Sequence, residues 1–189
     1  MCSGDIFTRM LTAKRLIAAL GAVVALSPTG ALAAAAPTKA ATTPTPSAHA
    51  LLSSRELWAT IDVCNPADQP DTVGIRGSMP GDRHSHDKMY MSFRLQYMNA
   101  SKQWVNLASG ASSSFVAVGS GASARQGGTS FELKPVAGKP AVTLRGVVDF
   151  QWRRGSTVLA SGALPSAAGH KSLAGADPPG YSAASCIIG

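Results

Sequence analysis

The sequence predicts an all-β chain, a single antiparallel sandwich of immunoglobulin-like architecture whose strand topology stays open. Three observations carry that expectation. Residues 142–154 and 88–98 alternate apolar and polar side chains in strict period two, the pattern of a strand with one buried face. Turn formers built from Gly, Pro, Asn and Asp separate these and several shorter alternating runs. After residue 33 no apolar repeat of helical period continues far enough to bury a helix.

The organising stretch is 142–160. Val142, Leu144, Gly146, Val148, Phe150 and Trp152 point one way and Thr143, Arg145, Val147, Asp149, Gln151 and Arg153 the other. Arg154-Gly155 supplies a turn, since glycine tolerates positive φ, and 156–160 returns as the partner of a hairpin.

Ahead of the sandwich lie two segments of different composition. An apolar run, Leu16 to Leu26, follows Lys14-Arg15, and Ala31-Leu32-Ala33 supplies a small-x-small cleavage pattern. Residues 1–33 therefore read as a secretory signal peptide, with Met10 as an alternative start. The apolar stretch is short of the ~20 residues that span a bilayer, so no membrane span is expected after cleavage. Residues 34–53, rich in Ala, Pro, Thr and Ser, read as a disordered linker. Residues 54–189 form the sandwich domain, enough chain for one hydrophobic core.

Within the domain, 56–64 is the first strand, with Leu57, Ala59, Ile61 and Val63 on one face. Trp58 falls on the opposite face, where it either contacts a partner or is covered by more chain. The second strand runs over 73–79 and stops at Pro80-Gly81. In 88–98, Met89, Met91, Phe93, Leu95 and Tyr97 face inward, and 104–107 returns as a second hairpin. Short strands follow at 115–118 and 129–133, separated by a glycine- and serine-rich loop over 119–128 expected to be flexible. Residues 164–181 have no period and are expected to pack in part on the sheets, and 182–188 forms the last strand.

The full chain carries 17 basic and 10 acidic residues. Without residues 1–33 it keeps 14 and 9, a mild excess of positive charge. The basic residues are spread along the chain with no aromatic interleaving, so no nucleic-acid partner is expected. Cys64 and Cys186 remain in a compartment that oxidises thiols, and a single disulfide between them is the natural reading. The expected localisation is therefore extracellular, as a monomer.

No motif names a reaction. Gly-x-Ser-x-Gly is absent, the only glutamates are Glu56 and Glu132, and the glycines at 119, 121, 127 and 128 lack the helix and lysine of a phosphate loop. No catalytic residue and no cofactor is expected. The leading function is a secreted, non-catalytic binding or structural module for an extracellular protein or a cell-surface ligand. It works by surface contact, with loops 81–87 and 119–128 presented outward. The alternatives are an enzyme with a site invisible in sequence, a copper or zinc protein, and an inhibitor of extracellular enzymes. The metal alternative rests on His84 and His86, within the run Asp82-Arg83-His84-Ser85-His86-Asp87, with Met79, Met89 and Met91 near enough in sequence to suit a soft ion.

The stretches LWATIDVCN (57–65), DTVGIRGSMPG (71–81), TLRGVVDFQWRR (143–154) and GHKSLAGADPPGYSAASC (169–186) resemble a group of secreted proteins of high-GC Gram-positive bacteria. That resemblance implies secretion and brings no functional residue with it. The 142–160 hairpin is also similar to the late strands of immunoglobulin-like and fibronectin-III-like modules. The cysteines differ from the antibody arrangement, because they lie in the first and last strands, and Tyr181 stands five residues before Cys186 rather than two.

Overall fold

A computed structural model describes residues 44–108, 110–171 and 174–189. The signal peptide and the linker over 34–43 lie outside them. Among the described residues the chain is an antiparallel β-sandwich of nine strands and one short helix, α1 (Ala48–Leu52). The smaller sheet contains β1 (Trp58–Cys64), β2 (Thr72–Met79) and β6 (Arg125–Glu132) in the order β1-β2-β6. The larger sheet is centred on β3 (Lys88–Met98) and β7 (Val142–Arg154), paired from Lys88 with Arg153 to Tyr97 with Leu144. The outer edge of β3 is shared by β4 (Trp104–Asn106) and β5 (Val116–Ser120). The outer edge of β7 is shared by β8 (Thr157–Pro165) and β9 (Cys186–Ile188).

The alternation decides which faces meet. Ala59, Ile61, Val73, Ile75 and Met79 from the smaller sheet pack on Met89, Met91, Phe93, Leu95, Leu144, Val148, Phe150 and Trp152 from the larger, all buried. Of the inward residues expected on 88–98 and 142–152, Tyr97 is only partly buried against this core and Val142, at the start of β7, is exposed; the others are buried. Gly155 turns the β7–β8 hairpin with φ +57, as its freedom from a Cβ allows. Cys64 and Cys186 are disulfide-bonded.

Several boundaries differ from expectation: β8 continues to Pro165, and the last strand, expected over 182–188, is Cys186–Ile188. The linker reading ran to residue 53, but Ala48–Leu52 is helical, Ser47 Oγ accepts the Ala50 N–H at 3.2 Å as the N-cap, and Leu51 is buried in the core. Leu51 provides the apolar side chain that composition averaged over the stretch concealed. The loop expected over 119–128 is also largely strand. β5 runs to Ser120 and β6 begins at Arg125, with Gly127 and Gly128 paired to Gly77 and Arg76.

β1 is covered on both faces and along its free edge. Ile61 and Ala183 exchange two backbone hydrogen bonds at 2.9 Å, and the Ala167 N–H donates to Ala59 O at 2.8 Å, so the segment after β8 protects an edge that would otherwise invite pairing. On the face away from the core, Trp58 stacks on His170 with ring centroids 4.8 Å apart. Of the two readings left open for Trp58, coverage by more chain is the one found. Beside it, Arg76 Nε–H donates to the buried Asp62 carboxylate at 2.9 Å.

Burial nevertheless lifts the Asp62 carboxyl above its ordinary 3.8, outweighing Arg76. A raised carboxyl favours the protonated folded state. Its contribution is complete below the unfolded pKa and is lost as pH rises through the folded one. Asp62→Asn should therefore flatten the fall in stability with pH in the window opening at 3.8, as read from urea midpoints of both proteins across that range. Parallel curves would contradict this assignment.

Candidate functional site: the outer face of the larger sheet and the loops at its end

The outward residues of β3 and β7, apart from the buried Val147, form a largely polar surface. Arg145 projects from β7, donates through Nε–H to Gln96 Oε1 at 2.8 Å, and lies over the Trp104 ring at 4.5 Å. Arg153, eight residues along the same strand, repeats the arrangement. It donates to Gln151 Oε1 at 2.7 Å and lies over Tyr90 at 4.3 Å and Phe115 at 5.1 Å. Between them Arg94 is paired with Asp149. Among the described residues neither Arg145 nor Arg153 has a carboxylate within ion-pair distance. Each guanidinium is held flat by a ring and a glutamine, with its remaining N–H groups unspent on an acid.

The aromatic and basic residues that looked unconnected in sequence are thus interleaved in space. β3 and β7 put Tyr90 opposite Gln151, β4 brings Trp104 opposite Met98, and Phe115 directly precedes β5. Long-range strand pairing makes this surface, and period-two reading of single strands carries no signal for it.

The end of the face is closed by three interlocked turns. Loop 80–87 is anchored from the core by Trp152, whose Nε1–H donates to Pro80 O at 2.9 Å. The β5–β6 turn locks on to it: the Arg83 N–H donates to Gly121 O at 2.9 Å and the Gly121 N–H to Asp87 O at 2.8 Å. A Cβ on Gly121 would lie 2.0 Å from Asp82 Oδ1, so only glycine permits this approach. The hairpin tip supplies Arg154, which donates from Nε and a terminal nitrogen to the two Asp87 oxygens at 2.8 and 2.7 Å.

The outward, hydrated loop expected at 81–87 is therefore corrected at its acids. Asp82 and Asp87 are buried, because the close approach of Gly121 and the Arg154 fork bring both carboxylates inward. Burial raises the Asp82 carboxyl, while Arg154 holds that of Asp87 below its ordinary value. Of the two candidate metal ligands, His84 converges with Asp82 and Asp87, whereas His86 is exposed and outside that group. Met79, Met89 and Met91 are wholly in the core.

No protein-family model matches this chain, and no curated protein does.

One hollow, of about 740 Å³, opens between the β6–β7 loop and the end of the sandwich, and Leu107, Leu133, Val136, Val142 and Leu144 line it. Among the described residues its ionisable side chains are Glu132, Lys134 and Lys139, without a histidine, serine or cysteine to pair with them. Another, of about 410 Å³, holds Asp62 and Arg76, which are spent on each other. Among the described residues neither of these two brings together the acid, base and nucleophile that hydrolytic chemistry needs. Among the described residues no helix is long and apolar enough to cross a membrane.

Proposed function

We propose that this protein is a secreted, non-catalytic binding module whose larger sheet docks an extended acidic polymer of the cell surface. The observation that carries this reading is the pair Arg145 and Arg153, each braced by an aromatic ring and a glutamine and each without a carboxylate among the described residues. Eight residues on one strand separate them by ~26 Å at about 3.3 Å per residue. That spacing suits a linear ligand that touches both ends of the face. Braced guanidinium groups lose little freedom when they meet a carboxylate, sulfate or phosphate, and they bind such groups in bidentate fashion. Exposed Lys88 stands opposite Arg153 across the strand pair and adds to the positive field.

The test is direct binding of the mature protein to heparin and to polyglutamate at two salt concentrations. Affinity should fall as salt rises, and Arg145→Gln with Arg153→Gln should weaken it by about tenfold or more per arginine, the usual worth of a charge-assisted hydrogen bond. Duplex DNA serves as the comparison, and weaker binding to it is expected. Unchanged affinity for both acidic polymers in the double variant would overturn the proposal.

A further inference from the structure

The loops that close the sheet hold a feature that polymer binding does not use. Asp82, His84 and Asp87 each offer one ligand atom, and these atoms lie within 4.8 Å of one another. The Asp82 side chain is only 2 % exposed. Its Oδ1 accepts the His84 backbone N–H at 2.9 Å, but its buried Oδ2 has no donor among the described residues. The neighbouring Asp87 carboxylate is itself an acceptor, already held by Arg154. Two buried carboxylates with one guanidinium leave one negative charge unmatched, which burial strongly disfavours. Something positive belongs beside Asp82 Oδ2.

The imidazole indicates what that is. His84 Nε2 lies 3.1 Å from Thr45 Oγ1, and Nδ1 lies 3.1 Å from the Asp82 carbonyl oxygen and 4.0 Å from Asp82 Oδ1. With the ring hydrogen on Nε2 and Thr45 Oγ1 accepting it, Nδ1 and the Asp82 carbonyl oxygen would face each other as two lone pairs 3.1 Å apart, a repulsion that either a ring hydrogen on Nδ1 or a cation beside both atoms relieves. A cation makes that arrangement favourable, and a hydrogen bond on the far nitrogen is the usual way a ligating imidazole is oriented. Arg154 occupies two of the roughly four acceptor positions on Asp87, which leaves capacity for a further contact.

We infer that Asp82, His84 and Asp87 form a site for one divalent cation of the zinc class. Carboxylate and imidazole together suit a borderline ion, whereas calcium takes six to eight oxygens and copper(I) prefers sulfur. The thioethers near in sequence are turned into the core, so they do not contribute. The interlocked turn at Gly121 holds Asp82 in place before any ion arrives. Sequence reading paired His84 with His86, but the convergent partners are the two aspartates.

The experiment is calorimetric titration of the chelator-stripped full chain with zinc chloride, with calcium chloride as the comparison. One zinc per chain is expected, with calcium much weaker. Asp82→Asn keeps the side-chain volume and lets an amide N–H meet Asp87, so the fold is retained while zinc affinity falls at least about tenfold. His84→Gln, at a half-exposed position, should give the same loss, and His86→Ala none. Absence of saturable zinc uptake in the wild-type chain would overturn the inference and leave a shared proton as the occupant of the contact. So would uptake that survives in either Asp82→Asn or His84→Gln, or that is lost in His86→Ala.

Discussion

Replacing Cys64 and Cys186 together by serine is expected to lower the stability of the domain by up to about 5 kcal/mol, the chain-entropy value for a loop of this length. The two residues are 122 positions apart, so their bond closes a loop over most of the described chain and restricts the unfolded ensemble accordingly. The folded state also depends on it locally. β9 has three residues and pairs only with Val142, Thr143 and Leu144 of β7, too short a ladder to hold itself. Loss of the bond frees this strand and the segment that covers the edge of β1. Urea unfolding of wild type and double variant measures the effect. The m-value should rise as well, because an uncrosslinked unfolded chain exposes more surface. A loss below about 1 kcal/mol would mean that native strain cancels the entropic gain.

Trp152→Ala should cost about 3–5 kcal/mol, the range for removing a fully buried large aromatic side chain. Trp152 is wholly buried and paired across the sheet with Met89, so its removal leaves a cavity in the core at the end of the sandwich that carries loop 80–87. It also deprives Pro80 O of its donor. Trp152→Phe separates the two effects. It keeps most of the packing, loses the hydrogen bond, and should cost about 1–3 kcal/mol for the orphaned carbonyl. Both variants should speed amide exchange at Arg83 and Gly121, whose hydrogen bonds belong to the interlocked loops anchored by Pro80. Equal stability of the phenylalanine variant and wild type would show that the anchor carries no weight.

Strand identity was readable where alternation was strict. The stretch 88–98 keeps its expected ends, and the strand begun at Val142 runs one residue past the expected Arg153, because one misplaced residue would turn every side chain to the wrong face. β8 is longer than its expected 156–160 because Gly162 and Ala163 carry weak pattern information, yet they pair with Phe150 and Asp149. Gly127 and Gly128 look like loop by composition, but strand pairing with β2 outweighs local propensity. The disulfide was legible from the expected compartment and the cysteine number. The functional surface was not. Arg145 and Trp104, or Arg153 and Phe115, are about 40 residues apart, and only the order of strands in the sheet joins them. Asp82 and Asp87 sit in a run of turn-forming residues, where nothing local announces burial. It takes Arg154 and Gly121, from two other turns, to carry them inward.

On the proposed function, the braced arginines of the larger sheet are the contact surface. Titration of the isotope-labelled protein with a size-defined heparin fragment, followed by two-dimensional NMR, should then give shifts concentrated at the Arg145 and Arg153 Nε–H groups and the Gln96 and Gln151 side-chain amides, with the apolar hollow around Leu133 and Val136 unchanged. Shifts confined to that hollow, or no saturable change at the arginines, would contradict it.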